Sequence, residues 1–165
     1  MMDFLRIACA VPRVSLGDPK ANAREMAGQM AQAEGQNADL LVFPELSLTG
    51  YSCQDLFFQD ALYEAALEGL GMLKDAPALT AVVGLPLRLG SRMFNCAAVV
   101  SGGALRGIVP KTYIPNYNEF YEKRWFSSGA ELDRDAVTLE IPGREPVTVG
   151  IYPQGLFTIG DGTVF

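Results

Sequence analysis

A short apolar run that stops at a Pro-Glu pair is the feature that most constrains how this 165-residue chain can fold. The run, residues 40–43, predicts a short buried strand, and Pro44 ends it because proline has no N–H to donate to a central ladder. Glu45 follows where the strand leaves the sheet. Such a glutamate can simply meet water, or it can act as a general base if burial and neighbouring groups raise its proton affinity. The local pattern leaves both interpretations open.

The residues before this strand predict another strand and a helix. Residues 4–11 are apolar except for one arginine, and Pro12 ends the run. Asp18 and Pro19 suit the N-cap and first position of a helix, and Gly35 suits its C′ position. Between them, one predicted buried stripe recurs at helical spacing: Ala23, Met26, Ala27, Met30 and Ala31. The chain is therefore expected to open with a strand–helix–strand unit.

A second helix and a meander of strands are predicted next. Residues 61–73 carry apolar residues at helical spacing, and this helix is expected to close near Pro77. Residues 79–84 predict a third strand that ends at Pro86. Two glycine-containing turns then join three strand candidates, residues 85–89, 94–101 and 104–109. The last candidate leads directly into Lys111.

Beyond residue 128 the strand signals are further apart. They fall at residues 137–141 and 147–151, followed by a hairpin over residues 159–165. Early alternation of strands with helices and a later meander together predict an α/β domain.

Charge and composition exclude several classes of function. The net charge is −6 and no run of Lys or Arg exceeds two residues, so nucleic acid and anionic membranes are not expected partners. No transmembrane segment or signal peptide is expected, and three cysteines without a Cys-x-x-Cys pair suggest reduced thiols in the cytoplasm and no zinc site. The chain has no histidine, so acid–base chemistry must fall to Glu, Asp, Lys, Tyr or Cys.

An aromatic stretch follows Lys111. Residues 112–126 hold six aromatic side chains, interleaved with the polar residues Asn116, Asn118, Glu119 and Glu122. The stretch could pack over a sheet edge with its hydroxyls in water. It could also form a pocket wall, in which aromatic rings exclude water and a few polar groups orient a ligand.

Two stretches of the sequence carry a family resemblance. They are Phe-Pro-Glu-Leu-Ser-Leu-Thr-Gly-Tyr-Ser-Cys-Gln-Asp-Leu-Phe at 43–57 and Lys-Thr-Tyr-Ile-Pro-Asn-Tyr-Asn-Glu-Phe-Tyr-Glu at 111–122. They resemble the nitrilase superfamily of carbon–nitrogen hydrolases, and within it the glutaminase domains of glutamine-dependent NAD synthetases. The resemblance covers residues 3–130 well and tips the aromatic stretch towards a pocket wall. It implies an α/β fold of the nitrilase type, an αββα layered sandwich in which helices cover strands that face a second sheet.

The resemblance also implies site residues. Glu45, Lys111 and Glu122 are expected to be catalytic and to converge on one pocket, although the nearby Glu119 could take the role of Glu122. Tyr117, Glu119 and Phe120 are expected to bind the substrate, L-glutamine, with Tyr117 at the pocket mouth. Glu45 would be the base, and Lys111 would stabilise the oxyanion formed when a cysteine attacks the amide.

The nucleophilic cysteine of the family has no counterpart here. None of Cys9, Cys53 and Cys96 lies in the matching place, and Cys53, eight residues beyond Glu45, is more simply interpreted as a small buried hydrophobe. Residues 1–165 are therefore expected to be a C-terminally truncated, partial glutaminase domain whose cysteine lies beyond Phe165. Such a chain is expected to be inactive alone.

Partners and cofactors are likewise implied by the resemblance. The ammonia would pass to a synthetase domain, absent from this chain, and ATP and Mg²⁺ would be needed only there, with no cofactor or metal in the glutaminase domain. Truncation after residue 165 would expose one face of a sheet and an unpaired strand edge, which suggests a homo-oligomer. Two alternatives stay open: an amidase of the same superfamily acting on another small amide, and a non-catalytic interaction module. The codons after 165 would discriminate, because a continuation to a cysteine favours an enzyme and a natural stop favours the module.

Overall fold

A five-stranded mixed sheet, in the order β1-β2-β3-β4-β5, organises the chain. The computed structural model describes residues 4–75, 79–159 and 162–164. The first three strands run parallel, and β3, β4 and β5 form an antiparallel meander. The strands are β1 (Ile7–Cys9), β2 (Leu40–Val42), β3 (Thr80–Leu89), β4 (Arg92–Ser101) and β5 (Ala104–Pro110).

Helix α1 (Pro19–Gly35) links β1 to β2 and begins as the sequence predicts. The Asp18 carboxylate accepts a hydrogen bond from the backbone N–H of Ala21 at 3.0 Å, which satisfies one of the donors left free at a helix start. The predicted C′ position is wrong by a few residues. Gly35 is still helical, and the left-handed residue beyond the helix is Asn37, with φ of 55°. Asparagine tolerates this conformation better than most residues.

Helix α2 (Asp60–Lys74) precedes β3 and packs against α1 on one face of the sheet. The predicted closure near Pro77 lies outside the described residues. Between the helices and the sheet lies the main core, to which β4 contributes alternate side chains: Phe94, Cys96, Ala98 and Val100. Ala23, Met26 and Met30 of α1 are fully buried in it and Ala27 is partly buried, as predicted, but Ala31 is exposed, so the predicted stripe is wrong at its last position.

Two predicted strands have the wrong bounds, and pairing explains both. The expected strand over residues 4–11 is only β1, because its one partner, β2, is three residues long. Pro86 does not end a strand: the two strands predicted over residues 79–84 and 85–89 are one strand, β3, which continues through Pro86 to Leu89. Strand β2 pairs only with residues 80–82, so further along β3 has a ladder on one side alone, and a strand edge accepts proline.

The glycine turns of the meander are confirmed. Gly102 and Gly103 both have positive φ, 55° and 73°, which a tight hairpin between β4 and β5 requires. Hairpin β6–β7 (Ala136–Leu139, Val147–Gly150) continues the sheet beyond β5 through a parallel bridge between Ile108 and Ile151. Hairpin β8–β9 (Phe157–Ile159, Gly162–Val164) follows, although residues 160, 161 and 165 of the predicted hairpin lie outside the described part.

The α/β class is confirmed, with two helices covering one face of a mixed sheet. The described residues supply one helical layer and one sheet layer of the αββα arrangement. None of the helices in these described ranges is both long and apolar enough to cross a membrane.

One glycine of β3 lets a loop pass unusually close to the sheet. A Cβ built on Gly84 would lie 2.3 Å from the backbone N of Leu46 and 2.6 Å from the carbonyl O of Pro44. Backbone atoms cannot move aside as the end of a flexible side chain can. Glycine at 84 therefore allows the loop after β2 to lie across β3.

We predict that Gly84→Ala lowers the free energy of unfolding by about 1–3 kcal/mol, because the added methyl group overpacks this crossing. Gly28→Ala is a matched control on α1, since nothing lies within 4 Å of the place that its methyl group would take, and it should stabilise by roughly 0.5–1 kcal/mol. Urea unfolding of both variants measures the difference. Equal stabilities for the two variants would contradict the close crossing.

Candidate functional site

Glu45 lies in a loop that is hydrogen-bonded to β3. The Leu48 N–H donates to the Gly84 carbonyl at 3.0 Å, and the Gly84 N–H donates to the Ser47 hydroxyl at 3.1 Å. Leu46 adopts a left-handed φ of 51°, which is uncommon for a bulky residue and turns the chain sharply after Glu45. The loop therefore has a fixed course, although the Glu45 side chain itself remains 42% exposed.

This course solves a problem of distance. Glu45 follows β2 and Lys111 follows β5, and β3 and β4 lie between them in the sheet. At about 4.8 Å per strand, the ends of β2 and β5 would stand roughly 14 Å apart. Because the loop crosses β3 at Gly84, the Glu45 carboxylate comes within hydrogen-bonding distance of the Lys111 ammonium.

Lys111 bridges two carboxylates. Its ammonium donates to Glu45 Oε1 at 2.7 Å and to Glu122 at 2.9 Å (Oε2) and 3.2 Å (Oε1). The Lys111 backbone N–H donates to the Asn95 carbonyl at 2.8 Å, which ties the start of the loop to β4. The structure thus brings together the three residues that the sequence predicted to be catalytic.

Glu122 is almost completely buried, at 2% exposed, and lies in a single turn, Glu122–Arg124. Besides Lys111, it accepts a hydrogen bond from the Tyr51 hydroxyl at 2.7 Å. Two bonds from Arg124 to Asp55, at 2.7 and 2.8 Å, hold this turn against the segment that carries Tyr51. The buried carboxylate therefore has charged and neutral donors, as a buried charge requires.

Asn95 is a contact that the sequence analysis missed. Its side chain, on a residue only 3% exposed, donates from Nδ2 to Glu45 Oε1. The one signal in the sequence was a single asparagine inside the otherwise apolar run of β4. A local pattern does not reveal which side chain such an amide meets.

The charges around Lys111 oppose the effect of its burial. Burial alone would lower the pKa of Lys111, but the hydrogen bonds and charges of Glu45 and Glu122 outweigh it and raise the pKa above its ordinary value. Burial, and then the bond to Glu122, raise the pKa of Tyr51 as well. At neutral pH the lysine is therefore charged and the tyrosine keeps its proton.

Lys111 lies between two depressions. On one side is a cavity of about 760 Å³, whose lining includes Tyr113, Tyr117, Lys123, Phe126 and Glu131. On the other is a groove of about 200 Å³ along the sheet, whose lining includes Glu45, Val82, Asn95 and Ala97. Lys111 lines both depressions, whereas Glu45 lines only the groove and Tyr117 only the cavity, so the single pocket expected for these residues is divided into two.

The three predicted substrate residues lie on the aromatic loop. Tyr117 lines the larger cavity and packs edge-to-face on Phe120, with ring centroids 5.9 Å apart. Glu119 and Phe120 are exposed and do not line this cavity. Of the two rival carboxylates, Glu122 and not Glu119 is the one that contacts Lys111.

The three cysteines occupy different surroundings. Cys96 and Cys53 are buried, and burial raises the pKa of both thiols. Cys53 also donates to the Thr49 carbonyl at 3.1 Å, and Cys9 is exposed. Within the ranges that the structure describes, no group of three or more Cys, Asp or Glu residues could hold a metal ion.

In comparisons with known proteins, the sequence model of the carbon–nitrogen hydrolase family matches residues 6–155 of this chain. The glutamine-dependent NAD(+) synthetase of Mycobacterium tuberculosis is 39% identical over 145 residues, which are 86% of this chain and 21% of that protein. The same enzyme of Acinetobacter baylyi is 37% identical over 130 residues, 78% of this chain and 24% of that protein. The chain thus spans about a fifth of the length of the curated relatives it matches.

Solved structures share the fold. The glutamine-dependent NAD(+) synthetase from Cytophaga hutchinsonii superposes with a TM-score of 0.81 at 27% identity, covering 96% of this chain and 27% of that one. An amidase from Nesterenkonia sp. gives a TM-score of 0.64 at 24% identity, covering 87% of this chain and 54% of that one. The amidase likeness bears on the fold alone.

We predict that stability falls as pH rises above about 10. The pKa values of Lys111 and Tyr51 are raised on folding, so near their unfolded values of about 10.4 and 10 the folded state binds more protons than the unfolded state. Glu122→Gln removes a negative charge that raises the pKa values of both Lys111 and Tyr51. The free energy of unfolding of this variant should therefore fall less steeply between about pH 9 and 11. Glu119→Gln, at an exposed carboxylate, is the control. The free energy of unfolding is measured by urea unfolding at each pH for the unsubstituted protein and both variants. The same dependence on pH in all three would show that Glu122 does not raise these two pKa values.

Proposed function

This chain belongs to the carbon–nitrogen hydrolase family, and we propose that it forms part of a glutaminase that hydrolyses the side-chain amide of glutamine and supplies ammonia for NAD synthesis. The observation that carries the proposal is the Lys111 ammonium held between Glu45 and Glu122. The likeness to glutamine-dependent NAD(+) synthetases supports glutamine as the source of the amide.

Glu45 is the base of the proposed reaction. It removes the proton of a cysteine thiol, because the thiolate and not the thiol is the nucleophile. The thiolate forms a bond to the amide carbon, and the carbonyl electron pair moves onto oxygen to give a tetrahedral oxyanion. When the C–N bond breaks, Glu45 returns its proton to nitrogen and ammonia leaves. Water then attacks the thioester carbonyl while the same carboxylate accepts the water's proton. The C–S bond breaks to release glutamate, and the departing cysteine sulfur takes that proton back from Glu45.

Lys111 stabilises the oxyanion. Its charge is already present at neutral pH, and the carboxylates hold it there by raising the pKa of Lys111 above its ordinary value, so no proton has to be supplied when negative charge develops. Glu122 keeps the ammonium charged and in place: it is buried, contacts Lys111 through both oxygens, and is itself held by Tyr51. These roles match the exposure of the three side chains, since Glu122 is almost completely buried whereas Lys111 and Glu45 remain partly exposed.

The nucleophile of this scheme lies outside residues 1–165. Cys96 and Cys53 are buried, and burial raises the pKa of both thiols. Cys9 is exposed, and among the hydrogen bonds of the described residues those of Glu45 and Lys111 involve none of the three thiols. We therefore expect these 165 residues alone to bind and polarise an amide without turnover, because members of a catalytic set act as a unit.

Tyr117, with Glu119 and Phe120 beside it on the aromatic loop, forms the proposed mouth of the glutamine site. The cavity next to Lys111 has the size of a small-ligand pocket and combines aromatic walls with charged groups. A synthetase domain would use the ammonia together with ATP and Mg²⁺, and the glutaminase part itself would need no cofactor. Association of the polypeptide into homo-oligomers is part of the same proposal.

An ammonia-release assay with glutamine tests the function. The 165-residue chain is compared with an extended chain that carries the rest of a hydrolase domain, encoded downstream or, if the reading frame stops, taken from the Cytophaga hutchinsonii relative. We expect release only by the extended chain. Glu45→Gln should lower its kcat by about 10²–10⁴-fold and Lys111→Ala by at least about 10²-fold.

The control and the contrary results are specific. Cys53→Ala should leave the activity of the extended chain unchanged. Turnover by the 165-residue chain that disappears on Cys53→Ala would identify a different nucleophile. A folded extended chain that releases ammonia from other small amides but not from glutamine would replace the proposed substrate, and one that hydrolyses no amide would remove the proposal.

A further inference from the structure

The two residues at the centre of the site are joined through a third, Asn95. Its backbone carbonyl accepts the N–H of Lys111 at 2.8 Å, and its side-chain amide donates to the Glu45 carboxylate. Because a carboxylate can only accept, the amide nitrogen and not its oxygen must face Glu45. One residue of β4 therefore fixes both the position of the lysine backbone and the orientation of the glutamate side chain.

Both donors that reach Glu45 use the same oxygen. Asn95 Nδ2 and Lys111 Nζ each donate to Oε1. Among the hydrogen bonds of the described residues, none ends on Oε2. A carboxylate oxygen that accepts two bonds has little capacity for a further proton, whereas its partner oxygen keeps its lone pairs.

We propose that Asn95 is a positioning residue that holds Oε1 of Glu45, so that Oε2 is the atom which accepts and returns the proton during amide hydrolysis. The inference rests on the proposed function. Without Asn95, and within the described part of the chain, the hydrogen bond from Lys111 would be the one left to the Glu45 carboxylate, whose side chain is 42% exposed, and the carboxylate would rotate among several orientations.

The burial of Asn95 supports a specific role. Its side chain enters the groove beside Glu45, although an amide in that place must offset the cost of leaving water. An apolar residue on β4 would fill the space as well, as Phe94 and Val99 do elsewhere on the strand. The bond to Glu45 is the contact of this amide that meets that cost.

Kinetics of the extended chain test the proposal. Asn95→Ala should lower kcat for glutamine about 100-fold, the order expected when a catalytic group is displaced by about 1 Å, with KM changed little. Asn22→Ala is the matched control. Asn22 is also a buried asparagine, and its side chain bonds the Ser15 and Leu48 backbone instead of a carboxylate. It should lower stability and leave kcat within a few-fold.

The pH dependence of kcat in Asn95→Asp distinguishes a positioning role from a purely structural one. The substitution keeps the size of the side chain and places a carboxylate opposite Glu45, so kcat near neutral pH should fall as it does in the alanine variant. As pH falls and the introduced carboxyl takes up a proton, it becomes a donor again. Activity relative to the unsubstituted chain should therefore recover towards acid pH in this variant and not in Asn95→Ala.

A second measurement needs no turnover. In ¹⁵N-labelled 165-residue protein, the Asn95 side-chain amide signal should shift as Glu45 takes up a proton on acidification, and Glu45→Gln should abolish that shift. A signal indifferent to Glu45→Gln, or an Asn95→Ala enzyme with normal kcat, overturns the inference and leaves the glutaminase proposal standing. An unsubstituted extended chain that hydrolyses no amide overturns both.

Discussion

A single ammonium between two carboxylates is the interaction on which the site depends. Lys111 is drawn partly out of water, and so is Glu122, at a cost that neither could meet alone. Each offsets the burial of the other, and Glu45 adds a second negative charge from the solvent side. Removing either carboxylate would leave the lysine with less compensation for its burial. The arrangement is therefore a structural constraint and, in the proposed reaction, a source of positive charge that needs no rearrangement.

The sheet makes this interaction possible by letting one loop cross it. Strands β2 and β5 are not neighbours, so Glu45 and Lys111 would be too far apart if each simply continued its strand. Gly84 leaves room for the loop after β2 to lie on β3, and Asn95 on β4 receives the Glu45 side chain. Tyr51 and the Asp55–Arg124 pair secure Glu122 from the other direction. The polar groups of the site meet because the backbone approaches itself closely at one glycine.

Much of the framework could be predicted from local sequence, because local interactions determine it. The Asp18 cap, the methionine stripe and the glycine hairpin follow from rules that involve only neighbouring residues. The family resemblance, which the match over residues 6–155 confirms, placed Glu45 and Lys111 in one pocket. The prediction that a strand ends at Pro86 was wrong because β2 is short. Beyond the residues of β3 that pair with β2, the sheet needs no N–H donor on that side of β3, so a proline is tolerated there. The bond from Asn95 and the crossing at Gly84 depend on contacts between distant residues, which no single-sequence pattern contains.

The most direct test of the lysine bridge is a pH titration of the Lys111 side chain, followed by NMR of ¹⁵N-labelled lysine in the folded 165-residue protein. The two carboxylates pull the pKa up and burial pulls it down, so the measured value reports which effect prevails. We predict that Lys111 titrates above the ordinary lysine value of about 10.4, and that Glu122→Gln lowers its pKa. A Lys111 pKa at or below the ordinary value, unchanged by Glu122→Gln, would show that the ammonium is not held between the carboxylates.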